Sequence, residues 1–300
     1  MVAQQRGSVP LQEHLLMSKI VQGLGVVVGL VVVVAIALPT LLHKGGLHPT
    51  YEGDSVALPG KRALIITTSH STLAAPGETD GPETGVMASE FTHPYYVFTD
   101  GGMDVDMASI KGGQIPIDPQ TLNYIIRSPE DERYLEDPIA QAKVANSVAV
   151  SEVDITQYDI VFISGGWGAA YDLAQSAVLG EQVSTSYYGE REAVIGGVCH
   201  GVLGLVNAQD IDGNKLIAGR RMTGVSDKQI KELGIEVTPK HPETELRKAG
   251  VIYEQQTAFR DFFATHVVVD DEQRFVTGQN QNSGLETAHR MMKVISDRGE

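Results

Sequence analysis

The only cysteine in the 300-residue chain, Cys199, lies in a sequence context that is typical of a nucleophile. An apolar run with two glycines, AVIGGV at 193–198, precedes it, and His200, Gly201 and a second apolar stretch follow. A strand that turns sharply into a helix can present the turn residue as a nucleophile elbow, because small neighbours allow the strained backbone. The start of a helix favours a thiolate, so we expect a lowered pKa for the Cys199 thiol. The alternative is a buried cysteine that packs behind the sheet.

A second glycine-rich turn, SGGWG at 164–168, follows the apolar run DIVFI at 159–163. In open α/β sheets ligands bind at the carboxyl ends of the strands, where this turn is expected to lie. The backbone N–H groups of Gly165, Gly166 and His200 are therefore candidate donors to an oxyanion. A phosphate-binding loop or a simple turn is the alternative, because a Gly-Gly pair is not specific by itself.

Glu90 is the third candidate, and it shortly precedes Pro94, where a helix is expected to begin. Proline is tolerated in the first turn of a helix. A carboxylate at such a position usually faces solvent or complements the helix dipole, and the residues alone favour that interpretation.

Short apolar runs alternate with helical patterns after residue 60, which predicts an α/β domain with a mostly parallel sheet covered on both faces. The predicted strands lie at 62–67, 104–108, 159–163, 193–198, 250–253, 266–269 and 274–277. The predicted helices lie at 132–146, 169–179 and 283–296, and a further helical pattern begins at 94–98.

Residues 20–42 carry no charge and contain one amide, Gln22. At 1.5 Å per helical residue this stretch is long enough to cross about 30 Å of hydrocarbon, and it predicts a single transmembrane helix. The resulting organisation is a flank at 1–19, the helix at 20–42, a linker at 43–60 and an α/β domain at 61–300. A cleaved signal peptide, the alternative, has an apolar stretch of only about 7–15 residues.

The orientation of that helix follows weakly from its flanks, where positive charges are nearly balanced. Arg6 and Lys19 precede the span, whereas Lys44, Lys61 and Arg62 follow it. Because Lys19 abuts the span, we expect the N-terminus inside and the domain on the extracytoplasmic side of the membrane.

The composition, with 42% hydrophobic and 20% charged residues, is ordinary for a globular protein. The formal net charge of −15 disfavours a nucleic-acid partner, which needs clustered Lys and Arg. A single cysteine excludes an intramolecular disulfide. No His/Cys spacing indicates a metal site, and we expect no metal and no other cofactor.

Six stretches, in order, resemble the ThiJ/PfpI superfamily, and specifically the branch that includes glyoxalase III enzymes and stress chaperones. The resemblance covers about residues 60 to 295 and leaves the apolar N-terminal segment outside. The stretches are TGVMASEFTHPYYVF (84–98), DVDMASIKGGQIPIDP (104–119), YDIVFISGGWGAAYDL (158–173), GGVCHG (196–201), RMTGVSDKQ (221–229) and VTGQNQNSG (276–284).

This resemblance implies a flavodoxin-like three-layer sandwich in which a protonated Glu90 hydrogen-bonds the nucleophile Cys199. It also implies that His200 is the family's histidine and that Asp227 orients it. The resemblance leaves four histidines without a role: His93, His241, His266 and His289.

Two residues depart from the family's pattern. Trp167 replaces the histidine of the common Gly-Gly-His-Gly motif, and Val202 replaces the proline of the usual Cys-His-Gly-Pro motif. The first change replaces a polar group at the expected rim of the pocket with a large apolar one, which can narrow the site or change its substrate.

The resemblance implies a cofactor-independent glyoxalase that converts methylglyoxal, or a related 2-oxoaldehyde, into a 2-hydroxy acid through a Cys199 hemithioacetal. An amidase, deglycase or peptidase that uses the same cysteine is the first alternative. A chaperone or a redox sensor without turnover is the second, and an inactive scaffold at the membrane is the third. The expected partners are a small aldehyde, the membrane and, because superfamily members often dimerise, a second copy of the chain.

Overall fold

The computed structural model describes residues 11–299 and, within that range, the side chains from residue 16 onward. The chain divides into two compact units at the bond between Gly45 and Gly46. Arg6 and most of the predicted flank at 1–19 lie outside the described residues.

The first unit contains one long helix, α1 at Leu11–Lys44. Over Leu16–Lys44 it is long and apolar enough, by length and composition, to cross a membrane, and its side chains there are not buried within the structure. The helix extends beyond the predicted span of 20–42 at both ends. Good helix formers such as Leu11, Gln12 and Glu13 continue the backbone hydrogen bonding outside the apolar stretch.

The second unit is built on two sheets and seven of the helices described. Its strands are β1 Arg62–Thr67, β2 Asp104–Ser109, β3 Val148–Ala149, β4 Ile160–Ile163, β5 Val194–Val198, β6 Arg221–Met222, β7 Ile252–Tyr253, β8 Val267–Val269 and β9 Phe275–Gly278. Its α-helices are α2 Ala88–Asp100, α3 Pro129–Glu136, α4 Pro138–Ala145, α5 Ala177–Tyr188, α6 Asp227–Leu233, α7 Pro242–Lys248 and α8 Gly284–Asp297.

The main sheet has seven strands in the order β3-β2-β1-β4-β5-β9-β8, and β6 pairs with β7 in a separate small sheet. Every pair in the main sheet is parallel except β8 with β9. The predicted α/β class with a mostly parallel sheet is therefore confirmed.

The sheet is covered on both faces because side chains alternate along each buried strand. On β1, Ile65 belongs to a core cluster that also contains Phe91 of α2 and Met291 of α8. Its neighbour Leu64 belongs to a second cluster, on the opposite face, that contains Leu179 of α5. These two cores give the three layers of the predicted sandwich.

Several helix boundaries differ from those predicted. The helix expected at 132–146 is divided, because Asp137 caps α4 and Pro138 occupies its first turn. The prediction of a helix at 169–179 is wrong, since two 3-10 turns, Trp167–Ala170 and Leu173–Gln175, occupy its first part and α5 begins only at Ala177. The pattern that was expected to begin at 94–98 begins earlier, at Ala88. The short elements β3, β6, α6 and α7 were not predicted.

The predicted linker at 43–60 packs in part against the domain that follows it. The backbone N–H of His48 donates to Asn282 Oδ1 at 2.9 Å, and Asn282 Nδ2 donates to the Gly46 carbonyl at 2.8 Å. Leu47 and His48 are buried. The second compact unit therefore includes residues from Gly46 onward.

Gly197→Ala is expected to lower the free energy of unfolding by about 1–3 kcal/mol, the usual cost of overpacking a core. A Cβ on this residue of β5 would lie 2.0 Å from the Ile163 carbonyl oxygen. Gly189→Ala is the matched control, because its nearest neighbour would lie 3.3 Å away and its φ of −68° suits alanine. Thermal and urea unfolding of the full chain in mild detergent checks the difference, and equal midpoints for the two variants would contradict it.

Candidate active site

Cys199 occupies a strained turn at the carboxyl end of β5. Its φ of +56° is rare for a residue with a side chain, and the preceding strand runs directly into it. A Cβ on the following Gly201 would lie 2.1 Å from the Ile163 carbonyl oxygen, so only glycine fits there. The helix that follows is a 3-10 helix, Cys199–Leu205. The turn thus has the strand-to-helix geometry that the sequence predicts for a nucleophile elbow.

Glu90 lies in the first turn of α2 and is completely buried beside the thiol. Its Oε2 accepts a hydrogen bond from the Gly165 N–H at 2.9 Å, while Oε1 has no partner among the described residues. Burial raises the pKa of this carboxyl group to about 8 despite the hydrogen bonds to it. The interpretation of a solvent-facing carboxylate is therefore wrong, and Glu90 is mostly protonated at neutral pH.

The pKa of the Cys199 thiol is raised, which contradicts the expectation from a helix start. Burial is the largest cause, and the adjacent Glu90 carboxyl group raises the pKa further. The backbone N–H groups of His200 and Gly166 act in the opposite direction but are weaker. A proton on Glu90 removes the repulsion between the two groups, so formation of the thiolate depends on that proton.

His200 is buried next to the sulfur, with its Nδ1 at 3.4 Å from Cys199 Sγ. Burial, assisted by the charge of His241, lowers the pKa of His200 to about 3, so the imidazole is neutral at physiological pH. The Trp167 ring contacts it edge-on, with 5.1 Å between the ring centroids. The Nε2 atom of His200 is buried and has no hydrogen-bond partner in the part of the chain that is described.

Asp227 does not orient His200 in this structure. Its side chain is about half exposed at the start of α6, where it accepts a hydrogen bond from Thr244 Oγ1 at 2.8 Å. It also lies 4.0 Å from His241 Nδ1. Glu232, the other acid nearby in sequence, instead accepts from the Asp261 N–H at 2.8 Å. Both acids thus contact residues that are distant in the sequence, and no local pattern encodes such contacts.

The turns after β4 and β5 supply N–H groups to the site, and these groups have different acceptors. The Gly165 N–H is occupied by Glu90, so it is not free for an oxyanion, contrary to the prediction. The N–H groups of Gly166 and His200 act on the sulfur, and that of Gly166 also acts on the Glu90 carboxyl group. Gly166 has a φ of +90°, and a Cβ on Gly165 would lie 2.5 Å from Glu90 Oε2. Both positions therefore require glycine.

A cavity of about 210 Å³ opens above Cys199, Glu90 and His200. Sequence reasoning missed most of its lining, which comes from loops and helix ends far apart in the chain. The residues not predicted are Met87, Asp118, Gln120, Thr121, Ile126, Val225, Gln229, Leu233, Ile235, Phe262 and Gln281. Some of these residues lie in the stretches that carry the resemblance, and no other feature of the sequence pointed to them.

The histidines left without a role lie apart from the lining of this cavity. His93 is buried one turn after Glu90 on α2, with its Nε2 at 3.4 Å from Glu130 Oε2. His289 stacks on Tyr51, and His266 Nε2 lies 3.5 Å from Glu254 Oε2. Within residues 11–299, no group of three or more His, Cys, Asp or Glu side chains is arranged to hold a metal ion.

The second unit is similar in sequence to known proteins. The model of the DJ-1/PfpI family matches residues 83–294. Glyoxalase 3 of Candida albicans is 28% identical over 78% of this chain and 98% of its own length. A glutathione-independent glyoxalase of Saccharomyces cerevisiae is 28% identical over 79% of this chain and 99% of its own.

Two solved structures have the same fold as the second unit. The Rapid Encystment Protein of Francisella tularensis matches with a TM-score of 0.70 and 30% identity, over 78% of this chain and 99% of that one. The crystal structure of glyoxalase III from Candida albicans matches with a TM-score of 0.69 and 26% identity, over 78% and 97%.

Glu90 is expected to make the stability of the protein fall as the pH rises. Below pH 4.5 the folded and unfolded states both hold this proton, whereas between 4.5 and about 8 only the folded state does. The free energy of unfolding therefore declines across that window by up to about 1.4 kcal/mol per pH unit and then levels off.

Glu90→Gln removes the titrating group while keeping its size, and it isolates this contribution from those of other groups. Urea unfolding at pH 5, 6.5 and 8 measures the difference in stability between the parent and this variant. We expect the parent to lose stability relative to the variant at each step, and parallel pH profiles would contradict the assignment.

Proposed function

The chain belongs to the DJ-1/PfpI family, and we propose that it is a glutathione-independent glyoxalase that converts a 2-oxoaldehyde into a 2-hydroxy acid. One observation carries this proposal: a strained, buried Cys199 meets a protonated Glu90 and a neutral His200 at the floor of a cavity. Two relatives about as long as the second unit of this chain, one named as glyoxalase 3 and the other as a glutathione-independent glyoxalase, support it.

In the first step, the Cys199 sulfur adds to the aldehyde carbon, and the thiol proton passes to Nδ1 of His200. The carbon–oxygen double bond becomes an alkoxide, which accepts hydrogen bonds from the Gly166 and His200 N–H groups. Because the pKa of His200 is about 3, the imidazolium is short-lived and returns its proton to the alkoxide. The product of this step is a hemithioacetal.

In the second step, Glu90 first releases its own proton to water, which its pKa of about 8 allows, and the carboxylate then removes the proton from the former aldehyde carbon. The electron pair moves to the neighbouring ketone, whose oxygen becomes the oxyanion of an enediolate. Glu90 then protonates that second carbon while the hydroxyl proton on the first carbon passes to the oxyanion, and a thioester results. We assign this transfer to Glu90 because its pKa lies near neutral pH, whereas His200 is too weakly basic.

In the third step, water attacks the thioester, and the carbon–sulfur bond breaks. A 2-hydroxy acid leaves and the thiol is restored. The first carbon has been oxidised from aldehyde to acid, and the second has been reduced from ketone to alcohol. The overall reaction therefore adds one water and needs no external oxidant or reductant.

Cys199→Ala is expected to reduce the formation of lactate from methylglyoxal, without glutathione, by at least about a thousandfold. Asp227→Asn serves as the control, because this half-exposed side chain does not contact His200, and its rate is expected to stay within about threefold of the parent. A chiral assay for lactate, with the full chain in detergent, provides the measurement. Absence of lactate from the parent would reject the glyoxalase proposal, and a large loss in Asp227→Asn would restore this residue to the catalytic group.

We further propose that α1 crosses a membrane and that the second unit lies on the extracytoplasmic side. The length and apolar character of Leu16–Lys44 support the span, and Lys19 at its start supports the orientation. The family match begins only at residue 83, so this helix is an addition to the family's domain.

A C-terminal tag tests this topology. In right-side-out vesicles, protease is expected to remove the tag without detergent, and alkaline carbonate is expected to leave the protein in the membrane fraction. Protection of the tag until detergent is added would reverse the orientation, and release by carbonate would reject the span.

A further inference from the structure

The cavity above Cys199 is lined mainly by apolar side chains. Glu90 and His200 provide the polar groups next to the sulfur, and six aliphatic, thioether or aromatic side chains line much of the remainder. These six are Met87, Ile126, Val225, Leu233, Ile235 and Phe262. The other polar residues of the lining are Asp118, Gln120, Thr121, Gln229 and Gln281. Such a lining favours a ligand that buries apolar surface and makes few hydrogen bonds.

The same cavity is poorly suited to an anion. Two carboxyl residues, Glu90 and Asp118, line it, and no Lys or Arg is among its lining residues. Asp118 already accepts hydrogen bonds from Thr84 Oγ1 at 2.9 Å and from the Gln120 N–H at 3.0 Å. A phosphate or carboxylate on the substrate would therefore lose its hydration without gaining a cationic partner.

Trp167 adds an aromatic surface at the reacting end of the cavity. Its ring packs edge-on against His200, and its backbone follows Gly166, whose N–H acts on the sulfur. A group bonded to the reacting carbons therefore comes close to the indole. Aromatic and alkyl groups pack well on such a surface, whereas hydroxyl groups lose water there without a partner.

The size of the cavity exceeds what a three-carbon aldehyde requires. About 10–15 Å³ is enough to hold one water, and this cavity offers about 210 Å³. With methylglyoxal bound, water would occupy most of the space beside the apolar wall. A larger apolar substituent displaces that water and buries its own surface.

We propose that the preferred substrate is a 2-oxoaldehyde whose ketone carries an aryl or bulky alkyl group, with phenylglyoxal as the representative compound. This inference rests on the proposed glyoxalase activity. The substituent packs against Trp167, Val225 and Phe262, while the aldehyde carbon meets Cys199. Trp167 is thus the residue that determines specificity, and it does so by contact with the substituent.

The test compares kcat/KM for phenylglyoxal and methylglyoxal, with the full chain in detergent and without glutathione. We expect the value for phenylglyoxal to be at least about tenfold higher, mainly through a lower KM, since even a single added methylene can be worth that much in an apolar pocket. Phenylglyoxal also modifies arginine side chains, so the Cys199→Ala variant supplies the background rate.

Two substitutions of Trp167 locate the source of that preference. Trp167→His is expected to lower the ratio of kcat/KM for phenylglyoxal to kcat/KM for methylglyoxal at least about tenfold, whatever its effect on the two values separately. Trp167→Phe keeps an aromatic surface and is expected to retain the preference. If Trp167→His does not fold, as thermal unfolding would reveal, Phe262→Ala replaces it and is expected to weaken the preference for phenylglyoxal in the same way.

The outcomes separate the two proposals. If neither aldehyde is converted, the glyoxalase function fails. If methylglyoxal is converted as well as or better than phenylglyoxal, or if the preference is unchanged in Trp167→His, the inference about the substrate fails and the glyoxalase function stands.

Discussion

The site depends on one buried contact, in which the Glu90 carboxyl group lies against the Cys199 thiol with too little solvent for both to be charged. Desolvation is the dominant influence on both groups and raises the pKa of each. A carboxyl group that would be ionised at the surface therefore keeps its proton at neutral pH and becomes a hydrogen-bond donor. Because its pKa is about 8, it can also give that proton up within the physiological range, which suits a group that must move a proton.

The main sheet holds the contact between Glu90 and Cys199 at one of its edges. β5 ends in Cys199, and β4 ends in the turn whose Gly165 N–H holds Glu90. The first turn of α2 brings Glu90 between them. Since β4 and β5 are parallel neighbours, both ends meet at the same place, and glycines allow the backbones to approach closely.

The surroundings of His200 show how the environment of a residue changes its role. The imidazole is buried without a carboxylate partner and stays neutral. In the proposed mechanism it holds a proton only transiently. Trp167 covers it on one side, so the same residue excludes water from the histidine and offers an apolar surface to the substrate. If both proposals hold, activation of the sulfur and selection of the substrate are linked through a single aromatic ring.

By itself, the sequence determined the features that depend on local pattern. The α/β class, most strands, the long apolar N-terminal helix and the turn at Cys199 follow from periodicity, glycine spacing and apolar length, which each segment carries on its own. The order of motifs was specific enough to predict the family, and it singled out Glu90 as a candidate site residue.

Only the tertiary structure decided which groups lie in contact and how their pKa values shift. It buried Glu90, used the Gly165 N–H for that residue, turned Asp227 towards Thr244 and raised the pKa of the thiol. It also formed an apolar cavity from segments that are distant in the chain. The physical reason is that desolvation and hydrogen-bond partners depend on packing between remote segments, and no window of sequence contains both sides of such a contact.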